Sequence, residues 1–362
     1  IDLAMQQQME TILAKGVKST KASGASALIM DPYTGAVKAM ANVPTYDPSK
    51  YFEVENADVF QNRAVSHPIE VGSSMKTLTT AAALDKGVIK ANTSYYDPAS
   101  WVVDGFRITN IEEDGGAGTR NIAQLLNLSL NTGATWELMQ MGGGQINSKA
   151  RETWYDYLTN RYRFGRLTGI EQGYEQAGYI PKPENNGAGI NLTYANMSFG
   201  QALTATPIQM GAAMSAVLNG GTYYQPYLVD KRENANGKTI VTKPKVLASN
   251  VVNPKVSQEM VPLMQYVVQN HTFTPQFDQN EFVVGGKTGT AQIAKPGGGY
   301  YEDRFNGTYV GFVGGEKVQY VIVVFVDKPT NGGYAGSAAA QPIFGSLAHM
   351  LINDSYVTPK NR

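Results

Sequence analysis

The sequence predicts an α+β fold, in which a mainly antiparallel sheet carries helices and a largely helical insertion forms a second lobe. Three observations predict it. Apolar runs of strand length stand near both ends of the chain, and the stretch from residue 71 to about 214 has helical character, interrupted by glycine-rich loops such as Gly142-Gly143-Gly144. A chain of 362 residues with 42% hydrophobic content is also long enough for one large domain or two lobes around a shared core. On this reading residues 1–70 and 220–362 form the mainly sheet-bearing lobe and residues 71–219 the mainly helical one.

The first segment has helical spacing to about residue 14, with Ile1, Met5, Met9 and Ile12 along one side. Residues 26–30 and 36–41 are short apolar runs separated by Asp31-Pro32-Tyr33-Thr34-Gly35, a turn sequence that predicts a β-hairpin. Thr206-Pro207-Ile208-Gln209 reads as a helix start, with Thr as N-cap, Pro in the first turn and Gln closing a capping box. That helix is expected to end near Gly220-Gly221. The final third returns to strands at Phe282-Val283-Val284, 309–313 and 318–326, the last two joined through Gly314-Gly315-Glu316-Lys317. A closing helix is expected from about 338 to 352, and the sequence shows no internal repeat.

Composition excludes several functions. The formal net charge is +0 with no long basic run, so a nucleic-acid partner is disfavoured. With no cysteine, the chain has no disulfide, thiol nucleophile or Cys-based zinc site, which fits life outside the cytoplasm. No stretch approaches the roughly 18 consecutive apolar residues of a membrane span. The chain opens in a polar helical pattern without Met or signal peptide, and is expected to be part of a longer protein whose anchor lies elsewhere. Only three histidines occur (His67, His271, His349), with no His-Glu-x-x-His pattern, so neither a metal nor a cofactor is expected. Each histidine is expected to be an ordinary structural or surface residue. No Gly-x-Ser-x-Gly elbow accompanies the serines.

Three short segments carry chemistry. Ser73-Ser74-Met75-Lys76 precedes an Ala- and Leu-rich run that reads as a buried helix, and residues three apart on a helix share a face. Lys76 can therefore place its amine on the Ser73 hydroxyl, where burial would favour a neutral amine able to take the serine proton. Alone, Ser-x-x-Lys is expected by chance about once in a chain of this length. Ser129-Leu130-Asn131 follows the helical stretch 122–128 and offers a second hydroxyl to relay protons, with an amide to hold Lys76 and a substrate. Its ordinary reading is a helix-end cap. Gly285-Gly286-Lys287-Thr288-Gly289-Thr290 resembles the end of a phosphate loop, but Glu281 stands where that loop needs glycine. The alternative is an exposed edge strand whose lysine and hydroxyls suit a carboxylate and whose glycines let a ligand approach. The three segments occur once each and in this order, which points to a serine acyltransferase site.

With these motifs, and with Tyr46-Asp47-Pro48, Ser198-Phe199-Gly200-Gln201 and Thr206-Pro207, the chain resembles the transpeptidase domain of class B penicillin-binding proteins from Ile1 to about Asp354. The resemblance implies a five-stranded antiparallel sheet with flanking helices and a helical subdomain, the active site lying between them. By motif it implies Ser73 as nucleophile, Lys76 as its base, Ser129 as proton shuttle and Asn131 as orienting group. Lys287 would support the shuttle, Thr288, Gly289 and Thr290 would bind the substrate's terminal carboxylate, and the Ser73 and Thr290 N–H groups would form the oxyanion hole. It implies peptidoglycan stem peptides as substrates, a D-Ala-D-Ala donor and an amine acceptor, with β-lactam antibiotics acylating the same serine. By analogy it also implies a membrane glycosyltransferase partner, an extracytoplasmic location and an anchor outside this chain. A division role is favoured over elongation by Ser198-Phe199-Gly200-Gln201. The nearest rival, a class A β-lactamase, would need a Glu-x-x-Leu-Asn element that is not found between Asn131 and Lys287. A D,D-carboxypeptidase or a non-catalytic penicillin sensor or scaffold would differ in acceptor chemistry.

Overall fold

The computed structural model describes residues 1–110, 116–184, 189–271, 276–295, 297–330 and 333–360. Helix α1 (Leu3–Thr20) starts where the Asp2 carboxylate accepts from the Met5 amide, at 3.0 Å. It buries Met5, Met9 and Leu13, whereas Ile1 stands outside the helix and is 52% exposed. The helix runs past residue 14 because Gly16 lets it close on a later helix: a Cβ there would lie 2.5 Å from Ile343. Strands β1 (Gly24–Met30) and β2 (Val37–Val43) form the expected hairpin. In its turn Asp31 accepts from the Tyr33 amide at 2.8 Å, and Gly35 takes φ +81°. A short helix, α2 (Arg63–Ser66), then leads through a 3₁₀ turn at Gly72–Ser74 into α3 (Met75–Asp85).

The insertion is less uniformly helical than its composition suggests. It contains two ribbons, β3 (Ser94–Asp97) paired with β6 (Gly118–Asn121), and β4 (Ser100–Val103) paired with β5 (Phe106–Thr109). Asp104 and Gly105, both at positive φ, make the tight turn between β4 and β5, a type suited to the twist of a two-residue hairpin. Helices α4 (Ile122–Asn127), α5 (Asn131–Met141), α6 (Ser148–Asp156), α7 (Ile190–Ser198) and α8 (Pro207–Leu218) complete this region. Helix α8 has the expected Thr206–Gln209 capping box and ends one residue before Gly220 at its cap, Asn219.

Small ribbons follow: β7 (Tyr223–Tyr224) with β10 (Val246–Ala248), and β8 (Lys231–Glu233) with β9 (Thr239–Val241). The final third is not all strand, because α9 (Pro254–Asn270) precedes β11 (Val283–Ala294). Its buried Val256, Met260, Leu263, Met264, Val267 and Val268 recur at helical spacing, with Pro262 inside the helix. Strands β12 (Tyr300–Gly314) and β13 (Val318–Asp327) and helix α10 (Gln341–Asn353) close the chain.

The main sheet is antiparallel and five-stranded, in the order β11-β12-β13-β1-β2. It lies between two apolar layers, so its central strands are buried on both faces. In β13, Val321, Val323 and Phe325 enter the layer shared with α3, α8 and α9, while Ile322, Val324 and Val326 enter the one shared with α1 and α10. Strand β11 is an edge strand, and its free side faces the helical insertion. Among the described residues, no helix is long and apolar enough to cross a membrane.

Candidate active site

From Val71 to Leu84 every residue is buried except Ser73. The 3₁₀ turn that begins α3 holds this serine at the surface of a cleft of about 470 Å³, which Ser129, Asn131, Thr288 and Thr290 also line. A separate cavity of about 330 Å³, between Tyr155, Phe164, Arg166 and Lys182, contains none of the motif residues.

The turn is fixed by backbone groups that approach from three directions. Gly72 takes φ +57° and donates its amide to the Gly200 carbonyl at 3.0 Å. A Cβ on Gly72 would lie 2.6 Å from the Thr290 oxygen, and one on Gly200 would lie 1.9 Å from the Gly72 oxygen. A Cβ on Gly289 would meet Thr308 Oγ1 at 2.2 Å and the Val71 oxygen at 2.4 Å. The close approach at Gly289 is therefore made by the chain's own turn. Thr308 secures it further, donating to the Val71 carbonyl at 2.8 Å.

Lys76, fully buried one turn into the helix, donates to the Ser129 carbonyl, to Asn131 Oδ1 at 2.8 Å and to Ser129 Oγ at 3.2 Å. Lys287, 1% exposed, reaches the same hydroxyl from β11 at 2.9 Å and also contacts Thr288 Oγ1 at 3.3 Å. Ser129 can sit between the two amines because its backbone adopts φ +58°, a left-handed conformation rare for serine. That strained turn joins α4 to α5, so Ser129 does more than cap a helix. Asn131 begins α5, and its Nδ2 donates to the Thr109 carbonyl at 3.1 Å. On the edge strand, alternation turns Thr288 and Thr290 into the cleft while Lys287 and Gly289 are buried. Thr290 Oγ1 accepts from the Gly336 amide at 2.9 Å.

The structure thus brings all three motifs to one cleft: a half-exposed hydroxyl, a second hydroxyl shared by two buried amines, and two threonines on a sheet edge. A neutral Lys76 amine would keep two N–H bonds for the Ser129 carbonyl and Asn131 Oδ1, leaving its lone pair to accept a hydroxyl proton. Two amines in a low-dielectric pocket also favour an anionic group.

Other residues join the site, some from the Ser198-Phe199-Gly200-Gln201 segment and others without a motif to announce them. Phe199, Gln201, Tyr334 and Ser337 line the cleft. Glu70 accepts from the Ala202 amide and the Tyr300 hydroxyl, both at 2.8 Å, and burial pushes its carboxyl up against those two bonds. His271 lines the cleft, and its Nδ1 lies 3.3 Å from Gln341 Nε2. Burial, then the charge of Lys287, hold its imidazole below the usual value. His67 lies 3.6 Å from Asp327, and His349 stacks on Phe277 at 4.4 Å. Among the described residues, no group of three or more His, Cys, Asp or Glu side chains converges as a metal site.

Comparison with known proteins gives concordant results. The family profile described as penicillin binding protein transpeptidase domain matches residues 25–349. Stage V sporulation protein D of Bacillus subtilis is 29% identical over 364 residues, which cover 99% of this chain and 54% of that protein. The peptidoglycan D,D-transpeptidase FtsI homolog of Mesostigma viride is 28% identical over 378 residues, covering 99% of this chain and 61% of its own length. The chain thus spans little more than half the length of these curated relatives. Among solved structures, penicillin binding protein 3 of Mycobacterium tuberculosis, complexed with aztreonam, superposes with a TM-score of 0.87 at 25% identity, covering 99% of this chain and 79% of that one.

Proposed function

The chain belongs to the penicillin-binding protein transpeptidase family, and from that premise we propose that it is a peptidoglycan D,D-transpeptidase working through a Ser73 acyl-enzyme that β-lactams also form. The observation that carries the reading is the convergence of Lys76 and Lys287 on Ser129 Oγ beside the half-exposed Ser73. Ser73 Oγ attacks the carbonyl carbon of the penultimate D-Ala as its proton passes to the neutral Lys76 amine. The Ser73 and Thr290 N–H groups receive the developing oxyanion, usually the largest electrostatic contribution to such chemistry. The proton then travels through Ser129 to the leaving nitrogen, the C–N bond breaks and D-Ala departs. An acceptor amine attacks the ester, a peptide bond forms, and Ser73 Oγ recovers its proton. Asn131 orients Lys76, Lys287 stabilises the shuttle, and Thr288 and Thr290 hold the terminal carboxylate, with Gly289 giving the strand its close seat against the nucleophile turn.

The names of the relatives, a sporulation protein and an FtsI homolog, favour a division or sporulation role over elongation. The cysteine-free composition and the proposed stem-peptide substrate support a location on the outer side of the cytoplasmic membrane, with an anchor in a segment outside this chain. A membrane glycosyltransferase partner follows by analogy, since the same process must polymerise the glycan it cross-links. The test is to supply a peptide ending in D-Ala-D-Ala with an amine acceptor and to follow products by mass. The expected result is a transfer product formed one-for-one with released D-Ala. Hydrolysis alone would make the chain a carboxypeptidase, and a β-lactam adduct without any peptide product would make it a sensor.

A further inference from the structure

Glu137 is a carboxyl that the mechanism above does not use, and it is fully buried beside the site. Helix α3 carries Lys76 and, one turn later on the same face, Thr80. Both reach α5: Lys76 donates to Asn131 Oδ1 at 2.8 Å, while Thr80 Oγ1 lies 2.8 Å and 3.1 Å from the two oxygens of Glu137. The helix bearing the nucleophile is thus tied to the helix bearing Asn131 by two parallel polar clasps, one catalytic and one unassigned.

We propose that Glu137 is a positioning residue for acylation: held by Thr80, it clasps α3 to α5 and so sets Lys76 against Asn131 and Ser129. The inference rests on the acyl-enzyme reading and deepens it. Two observations support it beyond the clasp itself. Thr80 and Glu137 are both fully buried, where an unmade hydrogen bond costs more than at a surface. Burial pushes the Glu137 carboxyl up to about 8, while Thr80 and the charge of Lys76 pull it back. The other titratable group facing it is Tyr95 of β3, which donates to Asp97 at 3.2 Å and is also influenced by Arg120. A neutral Glu137 adds no negative charge near Lys76. An ionised one would favour the ammonium form of Lys76 and oppose its action as base.

The experiment measures the second-order rate constant of acylation by benzylpenicillin from pH 6 to 9.5 for the parent, Glu137→Leu, Glu137→Gln and Thr80→Val. Glu137→Leu and Thr80→Val are expected to lose about tenfold at pH 7, because a sub-ångström shift of the base is felt directly in the rate. Glu137→Gln is expected to restore most of that loss and, since glutamine cannot ionise, to exceed the parent above pH 8. Thr80→Val carries the test should Glu137→Leu fail to fold. Rates equal to the parent's in Glu137→Leu and Thr80→Val would overturn the proposal, as would a Gln variant no better than Leu. A parent that forms no adduct would instead defeat the acyl-enzyme reading itself, so the two failures are distinguishable.

Discussion

Lys76→Met is expected to lower the rate constant for acylation of Ser73 by roughly 10²–10⁴-fold, the range that a positioned general base contributes. Methionine is the informative substitution because it fills a similar buried volume without the amine. The side chain replaced is fully enclosed, and the acceptors of its nitrogen include the Ser129 carbonyl, Ser129 Oγ and Asn131 Oδ1. Removing the donor leaves those acceptors short, at about 1–3 kcal/mol for each that stays unsatisfied. Relief from burying a polar amine opposes that loss, so the melting temperature is expected to change less than the rate. Acylation by a fluorescent β-lactam, measured beside the thermal melt, separates the two effects. A Met variant that acylates within threefold of the parent would remove Lys76 from the role of base.

Gly200→Ala is expected to damage both stability and acylation, although residue 200 is distant in sequence from the nucleophile. Its φ of +88° already disfavours a side chain, at about 1–2 kcal/mol. A Cβ would in addition lie 1.9 Å from the oxygen of Gly72, the residue before Ser73. Forcing that contact apart adds roughly 1–3 kcal/mol of overpacking. For a chain of this length the combined cost corresponds to a melting temperature lower by about 3–6 °C. The displaced Gly72 carries Ser73 with it, and acylation is expected to fall at least about tenfold. Gly143→Ala is the internal control. Gly143 has a similar φ of +82°, but a Cβ there would meet nothing within 4 Å. Its melt should drop only by the backbone cost, and its acylation rate should be unchanged. Equal behaviour of the two variants would mean that the contact between residues 200 and 72 does not position the nucleophile.

The candidate catalytic groups, which the structure brings to one cleft, were legible because they reside in short contiguous segments. Ser73 and Lys76 are related by one helical turn, Ser129 and Asn131 by one tight turn, and Thr288 and Thr290 by the two-residue repeat of a strand. The α+β class was legible for a similar reason, since β1, β2, β12 and β13 keep apolar runs of strand length. Elements that depend on weaker local signals were less apparent. The Asp104-Gly105 turn between β4 and β5 lies within a region whose average character is helical. Helix α9 carries Pro262, which obscures an otherwise helical recurrence of buried residues. What was not legible is non-local. The interlock of Gly72, Gly200, Gly289 and Thr308 draws on four separate segments, and no one of them signals the others. Glu137 reads locally as an ordinary helix former, and only the packing of α5 on α3 buries it.

The electrostatics of the cleft follow from the same assembly. The whole chain is neutral, yet Lys76 and Lys287 are brought to one hydroxyl from a helix of the insertion and an edge strand of the sheet. Burial of both amines strengthens the field that a protonated amine exerts on a bound carboxylate. The cleft where they meet is therefore the place at which the proposed substrate binding and base catalysis would draw on the same pair of side chains.

The most direct test of the central claim is intact-mass spectrometry after incubation with benzylpenicillin, run on the parent chain and on Ser73→Ala, with peptide mapping of any adduct. The account predicts a single stable adduct on the parent, located on the peptide that contains Ser73, and none on the variant. An adduct that persists in Ser73→Ala, or a parent that stays unmodified across several β-lactams, would contradict it.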